Sequence, residues 1–129
     1  NVDKYDLVVS QKIGSMWEKR INEFCELSNM KNFESVIIIQ PALYNEKKSL
    51  SNFEKSIVRE NTHGKKTFDE IIERSKNLEN CSLVLDYSAI FENVSDSIYF
   101  DQVHTNSLGN EIIAERMFYD IQDMVDSEN

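Results

Sequence analysis

Val36-Ile-Ile-Ile39 sets four β-branched residues in a row, followed by Gln40 and the chain's single proline, Pro41. Branching at Cβ stiffens χ1 and favours extended backbone. A run without polar alternation reads as a strand covered on both faces, the way parallel sheets bury their strands. Pro41 cannot donate to a ladder, so it marks where that strand stops. A second run, Leu83-Val-Leu85 within residues 82–87, follows a helical stretch, and strand, helix and strand predict a right-handed parallel βαβ unit.

Three capping boxes place helix starts: Ser15-Met-Trp-Glu18, Ser51-Asn-Phe-Glu54 and Thr67-Phe-Asp-Glu70. Behind the first, Trp17, Ile21, Phe24, Cys25 and Ser28 fall at helical spacing. The second predicts a surface helix over residues 52–59 pinned by Phe53 and Ile57, and the third a helix with Phe68, Ile71 and Ile72 on its apolar face. Ahead of these, Leu7-Val8-Val9 reads as a brief strand or a connection, and Ser10 after it as a turn residue in preference to a nucleophile. Residues 60–66 lack apolar periodicity and read as an exposed loop carrying a solvated His63. A last helix is expected from Thr105 or Asn106 to about Val125, with Ile113, Met117, Ile121 and Met124 on one face and a frayed end over 126–129.

At 129 residues the chain suits one domain, 1–129. A formal charge of -9 repels phosphate backbones and anionic lipid heads, so nucleic-acid binding is not expected, and Lys47-Lys48 and Lys65-Lys66 are too short to reverse that. No apolar run reaches the roughly twenty residues a membrane span needs. Two cysteines, Cys25 and Cys81, make no disulfide framework and read as small buried apolar residues. With two histidines far apart no metal site is expected, nor any cofactor. Asn80-Cys-Ser82 and Asn93-Val-Ser95 have the glycosylation acceptor form.

The chemistry concentrates in Tyr-Phe-Asp-Gln-Val-His-Thr-Asn-Ser-Leu-Gly, residues 99–109. A carboxylate at Asp101, one turn before His104, can accept the imidazole Nδ1–H, fix the tautomer and leave Nε2 as a general base. At the end of the first strand, Gln40 is either a structural hydrogen-bonding residue or a substrate contact, and Tyr44 stands the same way, because loops at the carboxyl ends of strands form the ligand crevice of open α/β sheets. Asp86, ending the second strand, reads as a turn cap.

Asp101, His104 and Gly109, with Asn110-Glu-Ile-Ile-Ala-Glu-Arg after them, resemble the last sequence block of the SGNH (GDSL-type) hydrolases. Val36-Ile-Ile-Ile-Gln-Pro41 is similar to that family's penultimate core strand, and residues 86–91 to the segment leading into the Asp/His block, so the likeness runs from about Trp17 onward. It implies His104 as catalytic base, Asp101 as its orienting acid, and a flavodoxin-like three-layer αβα sandwich around a parallel sheet, of which this chain is the carboxyl-terminal portion. The family's Gly-Asp-Ser nucleophile block does not occur in this chain, and its oxyanion-hole Gly and Asn blocks have no counterpart here; they are expected upstream of Asn1. The implied activity is hydrolysis of a small-molecule ester or O-acetyl group through a Ser-His-Asp triad. The rival expectation is a degenerate, non-catalytic relative acting in protein interaction. A sheet without its opening strands is expected to pair through its uncovered edge with a second copy or a companion chain.

Overall fold

Both β runs form strands. β1 (Val36–Ile39) and β2 (Leu83–Asp86) pair in parallel with Val36 opposite Leu83 and Ile39 opposite Asp86. Ile37 and Ile39 are buried while Val36 and Ile38 are only half-buried, so β1 is covered better on one face than on the other. The computed structural model describes residues 2–60 and 62–126, apart from the side chains of residues 2, 3, 5 and 62; of the fraying expected over 126–129, Asp126 instead ends the last helix, and 127–129 lie outside the described residues. The chain divides into two units, Asn1–Gln40 with Glu60–Ser88, and Pro41–Arg59 with Ala89–Asn129.

The three-layer αβα sandwich does not form. Among the described residues the sheet has two strands and most of the chain is helical. The physical reason is visible in the first unit, where α1 (Val2–Lys31) absorbs Leu7-Val8-Val9 and runs unbroken through the Ser15 capping box. Its buried face is Asp6, Ser10, Gly14, Cys25 and Ser28, with Trp17 and Ile21 half-buried between them. These positions recur every three or four residues, but the first three carry no large apolar side chain. A periodicity sought in hydrophobic residues therefore begins at Trp17, one long stretch too late.

α1 lies against α3 (Thr62–Ser75), and small or polar groups make the join. Ser10 Oγ and Thr67 Oγ1 are 3.1 Å apart, and Arg74 donates to Glu18 and Glu70. A Cβ at Gly14 would meet Glu70 Cγ at 2.5 Å, so the helices approach closely there. Residues 62–66, expected as a loop, are the first turns of α3; His63 keeps an exposed ring, with Nδ1 3.0 Å from a carboxylate oxygen of the buried Asp6. Thr67 consequently faces Ser10 from inside a helix and caps nothing.

Cys25 and Cys81 form a disulfide with Cα atoms 4.7 Å apart, which corrects their reading as two separate apolar thiols. The bond joins α1 to the segment entering β2. Ser35 and Ser82 add reciprocal backbone-to-hydroxyl hydrogen bonds of 3.0 and 3.1 Å beside it.

The second unit is built on Leu43, Phe91, Ile98 and Tyr99, with the Phe91 and Tyr99 rings edge-to-face at 5.8 Å. A 3-10 turn (Leu43–Asn45) and α2 (Asn52–Ile57) precede its long α4 (Ser107–Asp126). The Ser51 capping box is present with both of its hydrogen bonds. Phe53, however, is exposed, and the residue of α2 that goes inside is Glu54. On α4, Ile113, Met117, Ile121 and Met124 are half-buried as their spacing predicts.

Candidate functional site

The segment from Ile98 to Gly109 folds back on itself. Tyr99 and Thr105 form an antiparallel bridge, the Phe100 N–H donates to the His104 carbonyl at 3.2 Å, and the Asn106 N–H donates to the Ile98 carbonyl at 2.7 Å. The Asn106 side chain then caps α4 by accepting from the Gly109 N–H, and its amide donates to the Ser97 carbonyl. Gly109 has a steric reason to be glycine: a Cβ there would lie 2.7 Å from Ile98 Cγ2 and 2.8 Å from Thr105 Cβ. The first turn of α4 can close on the loop only because that atom is missing.

Asp101 sits in the bend so formed. Its Oδ1 accepts the Val103 and His104 backbone N–H groups at 2.9 and 2.7 Å, and its Oδ2 lies 2.7 Å from His104 Nδ1. Those backbone donors first, and the imidazole contact after them, bring the Asp101 carboxyl down to about 2. It is therefore ionised across the working range and prefers a proton on Nδ1. The His104 ring is 68% exposed and stacks on Phe100 with centroids 5.9 Å apart. With Nδ1 committed to Asp101, Nε2 is the ring nitrogen left to exchange a proton.

Beneath the loop is a buried charge that the sequence did not reveal. Glu54 Oε1 accepts the Ile98 and Tyr99 N–H groups at 2.8 and 3.1 Å, while Oε2 accepts from Ser51 N–H and from Lys48 Nζ at 2.6 Å. Both side chains of the Lys48–Glu54 pair are fully inaccessible to solvent. Burial pushes the Glu54 carboxyl up, but the Lys48 hydrogen bond and the backbone donors outweigh it and bring it to about 2. Tyr99, pushed up by burial and by its hydrogen bond to Glu46, remains a neutral phenol. Lys48 looked like half of a short surface cluster; its partner lies six residues on, and the loop it supports lies far beyond.

Gln102 is the other residue the sequence left unmarked. Its Nε2 donates to the Ile57 carbonyl at 2.6 Å, its Oε1 accepts the Arg59 N–H at 3.1 Å, and its own carbonyl accepts the Leu43 N–H at 2.9 Å. It clamps the segment after α2 to the Asp101 turn. Between them is a hollow of about 580 Å³ lined by Ser56, Val58, Arg59, Phe100, Asp101 and Val103, among others. His104 itself is not one of its lining residues.

The remaining candidates fall elsewhere. Gln40 is exposed at the end of β1 in the first unit; Tyr44 is half-buried in the 3-10 turn of the second, where burial raises its phenol, and it does not line the hollow beside Asp101. Ser10 is buried in the middle of α1 against Thr67, not at a strand-to-helix corner. Asp86 accepts the Ser88 N–H, the turn-capping role expected of it. Among the described residues no helix is long and apolar enough to cross a membrane, and no three His, Cys, Asp or Glu are grouped to hold a metal ion. No family model, no curated protein and no solved structure matches this chain.

Proposed function

We propose that Asp101 and His104 are the acid and base of an SGNH-type hydrolase acting on an ester or O-acetyl group. The observation that carries this reading is the 2.7 Å contact between His104 Nδ1 and an ionised Asp101, on a ring that is otherwise open to solvent. A histidine that served only packing would be covered, whereas this ring is open to solvent and its Nδ1 meets the one Asp101 oxygen that the two backbone donors leave to it. In the proposed reaction a serine hydroxyl attacks the ester carbonyl, Nε2 takes its proton, and Asp101 stabilises the imidazolium. The proton then goes to the leaving alkoxide, and water repeats the sequence on the acyl-enzyme. The likeness of residues 101–109 to the family's last block supports the same assignment, and the steric demand at Gly109 gives that likeness a physical basis.

An activated serine reacts with fluorophosphonates, whereas an ordinary hydroxyl does not. The complete protein is expected to be labelled covalently at one serine, and His104→Ala to lose that labelling at least about a thousand-fold in rate. Equal labelling of the two proteins would remove His104 from the role.

A second reading, a non-catalytic interaction domain, is favoured by the outer edge of β1. Ser35 and Ile39 carbonyls accept from Leu83 and Tyr87 of the β2 side. Alternate residues of a parallel ladder bond the same neighbour, so the backbone groups of Val36 and Ile38 point the other way. There they meet a groove of about 430 Å³ lined by Trp17, Ile21, Phe68 and Ile71. An extended segment of a second copy or a companion chain could add a strand at that edge.

A further inference from the structure

We infer that Asn93 carries an N-linked glycan. Two independent observations meet at this residue. The first is the Cys25–Cys81 disulfide: such bonds persist in oxidising compartments and are rare where thiols are kept reduced. Asn-x-Ser/Thr acceptors are glycosylated in compartments of that oxidising kind.

The second is where the acceptor triplet lies. The Val94 N–H donates to the Phe91 carbonyl at 2.9 Å, closing a four-residue turn with Glu92 and Asn93 at its tip. Phe91 is fully buried and Val94 half-buried against the same core, so the turn is anchored at both ends while Glu92, Asn93 and Ser95 are exposed. A bulky, hydrated chain on Asn93 extends into solvent without displacing a packed atom.

In the other triplet, Asn80-Cys81-Ser82, Asn80 is exposed, but its backbone and the two residues after it are engaged. The Asn80 carbonyl accepts from Asn29, Cys81 is in the disulfide, and the Ser82 hydroxyl accepts the Ser35 N–H. A transferase needs the hydroxyl of the third residue within reach, and at Ser82 it is already occupied. Selection between the two triplets therefore favours Asn93.

The donor is an oligosaccharide linked to a lipid through pyrophosphate. Asn93 Nδ2 attacks C1 of the first sugar; the N–C1 bond forms, the C1–O bond to pyrophosphate breaks, the lipid pyrophosphate leaves with the bonding pair, and Nδ2 gives up one proton. The test is the mass of the protein isolated from its own cells, before and after peptide-N-glycosidase, with a parallel Asn93→Gln variant. The expected result is a loss of one glycan mass on treatment, with Asn93 converted to Asp in the released peptide, and a variant of unchanged thermal stability that shows no loss. A mass unaltered by the enzyme, or a shift that persists in Asn93→Gln, would overturn the assignment.

Discussion

Gly109 shows how a single residue can decide whether the Asp101 and His104 loop closes at all. Its missing side chain is the space that Ile98 and Thr105 occupy. Gly109→Ala should push α4 off the loop and destabilise the second unit by about 1–3 kcal/mol, the usual cost of overpacking, as read by chemical denaturation. A variant as stable as the parent would mean that the loop adjusts without cost. Glu54 makes the opposite kind of demand, since it is a charge that must stay. Glu54→Gln leaves Lys48 buried without its counter-ion and should cost about 3–5 kcal/mol. The pH dependence has a definite sign. The Glu54 carboxyl sits at about 2 in the folded chain against an ordinary 4.5, so its stabilisation is complete above 4.5 and is lost as pH falls through that interval toward 2. Acid titration of the parent should show this loss, and the same titration of Glu54→Gln should show a smaller one, the part that remains belonging to exposed carboxylates such as Asp101.

At the scale of elements a local signal was necessary but not sufficient: the Ser15 and Thr67 boxes are as local as any in the chain, yet both lie inside longer helices, α1 and α3. The Ser51 capping box, the two β-branched or aliphatic runs and the Asn106 start of α4 each rest on residues within a few positions of one another, and each appears in the structure. The first half of α1 did not follow from hydrophobic spacing, because Asp6, Ser10 and Gly14 form its inner face. Polar and small residues carry no core signal until Thr67 and Glu70 are placed opposite them. The disulfide was hidden for a related reason: a separation of 56 residues gives no local pattern to read. Closing a loop of that length should contribute about 4 kcal/mol by restricting the unfolded chain. Reduction, or Cys25→Ser with Cys81→Ser, should lower the unfolding free energy by that order, and an unchanged denaturation midpoint would show that the helices hold the first unit without it.

For the molecule as a whole, the expectation of a wide parallel sheet foundered on supply. Among the described residues only 36–39 and 83–86 form strands, and the third apolar run went into a helix. Among the described residues β2 is the one strand paired with β1, and Val36 and Ile38 line a groove with Trp17, Ile21, Phe68 and Ile71. If the outer edge of β1 recruits a strand, light scattering should show mass rising with concentration or a companion co-purifying, and Ile38→Lys should abolish either, since a charge at the edge opposes pairing. A monomer at every concentration, with nothing bound, would speak against the interaction reading. The site itself was legible where its geometry is local: Asp101 and His104 are one turn apart and meet as their spacing suggests. Glu54 and Gln102, which hold that turn from far along the chain, were not. The most direct measurement is turnover of p-nitrophenyl acetate by the complete protein, its His104→Ala variant and its Asp101→Asn variant. The account predicts a loss of at least about a thousand-fold for the first, and for the second a loss of up to about ten-thousand-fold as the ring takes the wrong tautomer. Three equal rates would contradict it.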